Sequence, residues 1–306
     1  MPGLVVVLRR LILLCFICSL AMSAEDPAKL GQECQKKKRR ACDSLLALSR
    51  TGDDSDALVA VIGKLDNQAA LGALAKEARD SSVRAAAVSR LNDQSLLAQI
   101  ARTDSDTEVL IAALARLSDQ VAIYGVAAST ANRDVLAVAV ERLSDQGLLT
   151  VFARARGHED LRKVAVSKVT DQVLLAQLAA DAGESGVRLA AVTMLTDQST
   201  LASIARNNSM DSVRRVAVER LYDQASLAGV AGSRVDSLTA TAAAAKLTDQ
   251  RLLADVARSA EEWRVRATAV AKLIDEALLS SIAAEDRTEN VRSAAARRLD
   301  ELRKPR

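Results

Sequence analysis

A short phrase of the approximate form Leu-x-Asp-Gln-x-x-Leu recurs along this chain at a constant interval of 26 residues. Its glutamine stands at Gln68, Gln94, Gln120, Gln146, Gln172, Gln198, Gln224 and Gln250, and Glu276 completes the series. An alanine follows seven residues after each of these positions, from Ala75 to Ala283. A fixed period of this length is typical of proteins that stack one small structural unit many times. The sequence therefore predicts nine tandem repeats over residues 54–287.

Within one repeat, the spacing of the apolar residues predicts two short helices. In residues 80–105, apolar side chains recur three and four residues apart from Ser82 to Leu91, and again from Gln94 to Arg102. Asp93 lies where the second helix must begin, and its carboxylate can cap the free amides there. The same aspartate recurs at Asp119, Asp145, Asp171, Asp197, Asp223, Asp249 and Asp275. We expect the neighbouring glutamines to form an amide ladder from repeat to repeat.

Helices of about ten residues are only marginally stable alone, so each repeat must bury its apolar face against its neighbours. Only 2% of the residues are aromatic, and alanine and leucine dominate, which suits closely packed helices around a thin core. We therefore predict an all-α solenoid. Residues 25–53 are predicted to form an N-terminal helical cap, and residues 288–306 a C-terminal cap helix with a charged tail.

The N-terminus has the pattern of an export signal. Arg9 and Arg10 precede an apolar stretch over residues 11–21, which is followed by small residues. This pattern predicts a signal peptide over residues 1–24 and an exported protein, periplasmic or extracellular. A stretch of eleven residues is too short to span a bilayer, which disfavours a permanent N-terminal anchor. If translation begins at Met22, the protein would instead be cytosolic.

Two cysteines, Cys34 and Cys42, remain after the predicted leader. In an oxidising compartment they can form a disulfide. On one continuous helix they would lie about 12 Å apart, so a bridge requires the chain to turn between them. The sequence is compatible both with a disulfide between these cysteines and with two free thiols.

Some repeats resemble those of the HEAT type, as in Val83–Val88, Val187–Val192 and the segment that begins at Asp104. HEAT repeats carry an arginine after that valine, which pairs with an aspartate to form a ladder. Matching arginines stand at Arg84, Arg162, Arg188, Arg214, Arg266 and Arg292, whereas Leu58, Leu110, Leu136 and Ala240 depart from the pattern. The unit is shorter than the usual ~40–47 residues, and is similar to phycobilisome-lyase-type and leucine-rich-variant repeats. The resemblance implies a right-handed solenoid that binds proteins, although lyases and DNA-repair glycosylases use similar scaffolds.

The sequence holds few residues that could carry chemistry. His158 is the only histidine and is predicted to lie in a loop between repeats. No metal-ligand spacing, glycine-rich phosphate loop or nucleophile elbow is found. We therefore predict a protein that is not an enzyme and that needs no cofactor.

In nearly every repeat, a cation directly precedes the leucine or valine that stands three residues before the recurring glutamine, and the same holds at the matching position Leu299. These residues are Lys64, Arg90, Arg116, Arg142, Lys168, Arg220, Lys246, Lys272 and Arg298, and Met194 interrupts the series. We call them the cation stripe. Each member belongs to the end of a first helix, where a positive charge complements the helix dipole. The alternative hypothesis is that the stripe binds an acidic partner.

Other candidate contact residues are aromatic or basic. Tyr124 and Trp263 are possible interface anchors, with Trp263 expected in an inter-repeat segment, and Tyr222 is expected to pack within the protein. A basic run comprises Lys36, Lys37, Lys38, Arg39 and Arg40. This run could contact anionic lipids or simply be solvated. Without the run and the two leader arginines, the chain is mildly acidic, which argues against nucleic acid as a partner.

Together these patterns predict a monomeric scaffold or adaptor of the bacterial cell envelope or periplasm. Its expected partner is another protein or an envelope component. A lyase-like or other enzyme on the same scaffold is one alternative. A cytosolic binding module that begins at Met22 is another.

Overall fold

The computed structural model describes residues 26–304, so the predicted signal peptide lies outside the described residues. The described chain is all-α. Its helices are α1 (Pro27–Gln35), α2 (Arg39–Thr51), α3 (Ser55–Ile62), α4 (Gln68–Glu77), α5 (Ser81–Ser89), α6 (Gln94–Thr103), α7 (Thr107–Arg116), α8 (Gln120–Ser129), α9 (Arg133–Arg142), α10 (Gln146–Arg154), α11 (Glu159–Ser167), α12 (Gln172–Asp181), α13 (Ser185–Met194), α14 (Gln198–Asn207), α15 (Asp211–Arg220), α16 (Gln224–Ala231), α17 (Ser237–Lys246), α18 (Gln250–Ser259), α19 (Trp263–Val270), α20 (Glu276–Glu285) and α21 (Glu289–Arg303).

The helices follow the 26-residue period. Each even-numbered helix from α4 to α20 begins at the recurring glutamine or, in α20, at Glu276. The residue before it caps the helix: Oδ1 of Asp93 accepts from the amides of Ser95 at 2.9 Å and Leu96 at 3.1 Å. This arrangement recurs down to Asp275, which caps α20. The predicted all-α repeat fold is therefore confirmed.

The described chain divides into two compact units, one that ends at Arg142 and one that begins at Leu143. We call them unit 1 and unit 2. The boundary falls between the two helices of the fourth repeat. Within each unit, the odd-numbered helices pack side by side, as α5 does on α7 in unit 1 and α19 on α21 in unit 2. Most odd-numbered helices also pack on an even-numbered neighbour, so every unit is a double layer of helices.

The core of each unit consists of small and medium-sized apolar side chains at fixed register positions. Val83, Ala87 and Leu91 show how one repeat contributes to it, because all three are buried almost completely. The recurring alanine of the second helix is also buried, as at Ala101 and Ala205. Such small side chains allow neighbouring helix axes to approach to about 8–10 Å.

The N-terminal cap contains a disulfide between Cys34 and Cys42, whose Cα atoms lie 4.8 Å apart. The turn that this bond requires lies between α1 and α2, and Lys37 adopts a positive φ of 61° there. Asn67, which stands where later repeats have aspartate, caps α4 through Oδ1 and donates from Nδ2 to the carbonyl of Cys34 at 3.3 Å. A carboxylate could not donate this bond, which gives the asparagine a physical reason.

Among the helices of residues 26–304, none is both long enough and apolar enough to cross a lipid bilayer. All five residues of the basic run are exposed at the α1–α2 turn and the start of α2.

Candidate functional site

Within each unit, the turn between the two helices of a repeat is held to the next turn by the recurring glutamine. Oε1 of Gln94 accepts from the amide of Ser118 at 2.9 Å, and its Nε2 donates to the carbonyl of Arg116 at 3.3 Å. The same pair of inter-repeat bonds is made by Gln68, Gln146, Gln198 and Gln250. These glutamines thus bond to the backbone of the next repeat and also donate to a carbonyl of their own turn. The expected ladder of glutamines bonded to one another is wrong.

Most side chains of the cation stripe point back to the preceding repeat. Nε of Arg90 donates to the carbonyl of Leu65 at 2.9 Å, and Nε of Arg298 donates to that of Leu273 at 2.9 Å. Bonds to carbonyls of the preceding repeat are also made by Arg116, Arg142, Arg220, Lys246 and Lys272. Lys64 is exposed and Lys168 half-buried. These contacts give the stripe a structural role, whereas its binding of an acidic partner stays a prediction.

The arginines at the HEAT-like position form an interrupted series of ion pairs. Arg84 pairs with Asp104 and Arg266 with Asp286, each with its closest contact at 2.9 Å. Arg214 pairs with Asp236 at 2.8 Å, and Arg162 pairs with Glu184. Arg188 and Arg292 instead donate to the backbone carbonyls of Ala182 and Asp286. The ladder that the resemblance implies is therefore only partly formed.

Asp236 combines an N-cap with one of these ion pairs. Its carboxylate accepts from the amide of Thr239 at 2.9 Å and from Nη2 of Arg214 at 2.8 Å. Burial acts to raise the pKa of Asp236, but the hydrogen bonds from Thr239 and Arg214 outweigh it and lower the pKa from 3.8 to about 2. This carboxylate is therefore fully ionised at neutral pH.

The outward position of each turn, two residues before the glutamine, differs between the two units. In unit 1 it holds polar residues, Asp66, Asn92 and Ser118. Nη2 of Arg90 lies 2.6 Å from Oδ1 of Asp66, and Nη2 of Arg116 lies 2.8 Å from Oδ1 of Asn92. The turns of unit 1 thus present polar groups that are paired with neighbouring side chains.

In unit 2 the outward position holds Ser144 in the fourth repeat, followed by Thr170, Thr196, Tyr222, Thr248 and Ile274. We call the last five the edge row. All five are exposed, Tyr222 to 73% and Ile274 to 61%. Two further exposed apolar side chains of unit 2 are Val173, at the start of α12, and Met194, at the end of α13, although Val121 at the register of Val173 is equally exposed in unit 1. The expectation that Tyr222 packs within the protein is wrong, because the outward position of the turn directs it to solvent.

The other residues singled out in the sequence do not belong to the edge row. Tyr124 is half-buried on α8, and Trp263 is the half-buried first residue of α19, helical rather than within a connecting segment. The guanidinium of Arg264 lies 4.7 Å from the centroid of the Trp263 ring. His158 is exposed at the start of α11, with a positive φ of 47°. Whether Tyr124 and Trp263 anchor a partner stays a prediction.

A groove of about 630 Å³ lies beside the disulfide in unit 1. Lys37, Arg39 and Asp43 line its rim, while Leu46 and Ala73 contribute apolar wall. Among residues 26–304, no group of three or more histidine, cysteine, aspartate or glutamate side chains could hold a metal ion. The groove therefore offers mixed polar and apolar contacts rather than a metal centre.

No protein-family model matches this sequence, and no curated protein matches it significantly. Among solved structures, one similar chain comes from a computational design of self-assembling cyclic protein homo-oligomers. The two chains are 13% identical over an alignment that covers 91% of this chain and 98% of that chain. The TM-score is 0.13, so this likeness carries no argument about fold or assembly.

Proposed function

We propose that this protein is a monomeric, non-catalytic scaffold of short HEAT-like repeats, exported to the periplasm or cell envelope, where it binds another protein. The observation that carries the proposal is the contrast between fixed and variable positions of the turns. The recurring glutamines and most of the cations bond the repeats to one another, and the recurring aspartates cap their own helices. The outward positions instead change along the chain and expose Tyr222 and Ile274 in unit 2. Exposed apolar side chains in one row are typical of protein-binding surfaces.

The disulfide supports export, because such bonds persist in oxidising compartments and are rare in the cytosol of most cells. An alkaline-phosphatase fusion at about residue 30 tests this part of the proposal. Export gives an active fusion, and the protein isolated from cells then has no thiol that alkylates at Cys34 or Cys42. An inactive fusion together with two free thiols would favour the cytosolic alternative that begins at Met22.

Binding to a protein partner is tested by site-specific photo-cross-linking in living cells. A photoreactive amino acid at position 222 samples the edge row, and the same group in place of Ser118 samples the matching turn of unit 1. We expect position 222 to yield a discrete cross-linked polypeptide and position 118 to yield none. If neither these positions nor Tyr124 and Trp263 yield a cross-linked polypeptide, the scaffold function is excluded for these surfaces.

A further inference from the structure

The edge row of unit 2 is held in line by hydrogen bonds between successive turns. Gln198 donates to the carbonyl of Thr196 at 3.2 Å and accepts from the amide of Tyr222 at 2.8 Å. Gln250 joins Thr248 to Ile274 in the same way, at 3.5 and 3.1 Å. The row is therefore preorganised, and a partner that lies along it would not have to order these turns.

The remaining steps of the row repeat this connection. Gln172 links Thr170 to Thr196, and Gln224 links Tyr222 to Thr248. Because neighbouring helices pack about 8–10 Å apart, one side chain of the row is presented at about that interval. An extended chain covers this distance with about three residues. A bound segment would thus bring every third side chain onto a turn.

The charged groups beside the row are arranged so that the acids face solvent. The capping residues Asp171, Asp197, Asp249 and Asp275 are exposed, and Asp223 is half-buried. Each accepts its N-cap hydrogen bonds with one carboxylate oxygen. Hydrogen bonds from Thr200 and Ser199 lower the pKa of Asp197, and a hydrogen bond from Ser226 lowers that of Asp223. These carboxylates are therefore negatively charged at neutral pH.

The cations of the same turns are directed away from the row. Nη2 of Arg220 donates to the carbonyl of Leu195 at 3.2 Å, and Nζ of Lys272 donates to that of Ala245 at 2.5 Å. Lys246 likewise donates to the carbonyls of Val218 and Glu219, and the sixth repeat has Met194 instead of a cation. Lys168 belongs to the first turn of the row and Arg251 is exposed directly after Gln250, but the five capping aspartates outnumber these cations, so the charge along the row is predominantly negative.

We infer that the edge row of unit 2 binds an extended, basic polypeptide segment with an apolar residue at every third position. The apolar residues pack against Thr196, Tyr222, Thr248 and Ile274, and the lysines or arginines between them meet the capping aspartates. This inference rests on the proposed scaffold function and gives its partner a chemistry opposite to the one that the cation stripe suggests. The match of charge confers specificity as well as a faster association.

A peptide of thirteen residues, Leu-Lys-Arg repeated four times and closed by Leu, tests the inference by fluorescence anisotropy with the purified protein. The acidic counterpart has Glu-Asp in place of Lys-Arg, and a second comparison peptide has Ala in place of Leu. We expect the basic Leu peptide to bind at least tenfold more tightly than either. Tighter binding of the acidic peptide would overturn the inference and favour the cation stripe.

Two sets of substitutions locate the binding on the protein. The double substitution Tyr222→Thr, Ile274→Thr introduces the threonine that the same position has in neighbouring repeats, and it should weaken binding at least tenfold. Asp197→Asn, Asp223→Asn and Asp249→Asn retain the N-caps, as Asn67 does in the first repeat, and should weaken binding similarly and flatten its salt dependence. Circular dichroism and thermal melting verify that all variants fold.

The matched control is Asn92→Thr with Ser118→Thr in unit 1, which should bind the basic peptide like the unsubstituted protein. The inference is wrong if the Tyr222→Thr, Ile274→Thr variant binds equally well, or if the unit 1 variant shows the same loss. Either result leaves the scaffold function standing when position 222 still cross-links to a polypeptide in cells. The two proposals can therefore fail separately.

Discussion

The turns of unit 1 carry Asp66, Asn92 and Ser118 at their outward positions, whereas the turns of unit 2 carry Ser144 and then the threonines, Tyr222 and Ile274 of the edge row. Both sets are attached to the same hydrogen-bonded backbone, because Gln94 and Gln198 each join their own turn to the next. The difference thus lies only in the side chains that the turns present. We call these bonds from a glutamine to the next turn the glutamine clamp. Because the clamp holds the repeats together, the outward side chains are free to acquire a binding role.

Arg266 in unit 2 and Arg84 in unit 1 differ in how deeply their charges are buried. Arg266 in unit 2 is 1% exposed and donates to the carbonyls of Ala260 and Glu261 as well as to Asp286. The counterpart in unit 1, Arg84, keeps more contact with solvent and pairs with Asp104. Removal of a buried ionic partner leaves the opposite charge uncompensated, and that cost rises with burial.

We expect Arg266→Leu to lower the free energy of unfolding by about 3–5 kcal/mol, and Arg84→Leu to lower it by less. Leucine is the native residue at this register position in Leu110, so its size fits the site. Urea unfolding followed by circular dichroism measures both variants. Arg188→Leu is the control, because Arg188 donates to a carbonyl and leaves no carboxylate behind. Equal losses for Arg266→Leu and Arg188→Leu would show that the ion pair contributes nothing beyond packing.

Much of the fold is predictable from the sequence, because the period fixes both the number of repeats and the start of each second helix. Asp93 caps α6 as expected, since an aspartate before an amphipathic stretch has a local reason to be there. The first helices end close to the expected residue, with α5 at Ser89. These features depend on short-range spacing, which a single sequence contains in full.

The direction of the repeated polar side chains was not predictable in the same way. A period shows that Gln198 recurs, but not whether it bonds to another glutamine or to the backbone of the next repeat. The same limit applies to Arg220, whose bond to the carbonyl of Leu195 depends on how adjacent helices are placed. The large aromatic ring of Tyr222 favours packing, but its position in the turn outweighs that tendency and leaves it exposed.

Two aspartates at the same register position, one in each unit, differ in whether the N-cap also takes part in an ion pair. Asp236 in unit 2 caps α17 and also pairs with Arg214, whereas Asp106 in unit 1 caps α7 through the amides of Glu108 and Val109. Asparagine preserves a cap but removes the charge. The two positions therefore separate the effect of the ion pair from the effect of the cap.

We expect Asp236→Asn to destabilise the protein by about 2 kcal/mol at pH 7, and Asp106→Asn to have little effect. The folded pKa of Asp236, about 2, lies below its ordinary value of 3.8. Its contribution is thus complete above pH 3.8 and is lost as the pH falls through 2. Urea unfolding at pH 7 and pH 2.5 measures this change. An effect of Asp236→Asn that is equally large at both pH values would contradict the role of the ion pair.

The substitutions with the smallest expected effect remove the recurring glutamine and test whether the glutamine clamp stabilises both units. Gln94→Ala in unit 1 and Gln198→Ala in unit 2 each remove bonds to the next turn, and each should cost about 1–2 kcal/mol because the bonds are partly exposed to water. Gln99→Ala is the control, since Gln99 lies exposed on α6 away from the turns. Hydrogen exchange should rise at Ser118 in the first variant and at Tyr222 in the second, where the amides lose their acceptor. If only one variant loses stability, the glutamine clamp stabilises only one of the two units. The units would then differ in how their repeats are held together as well as in their outward side chains.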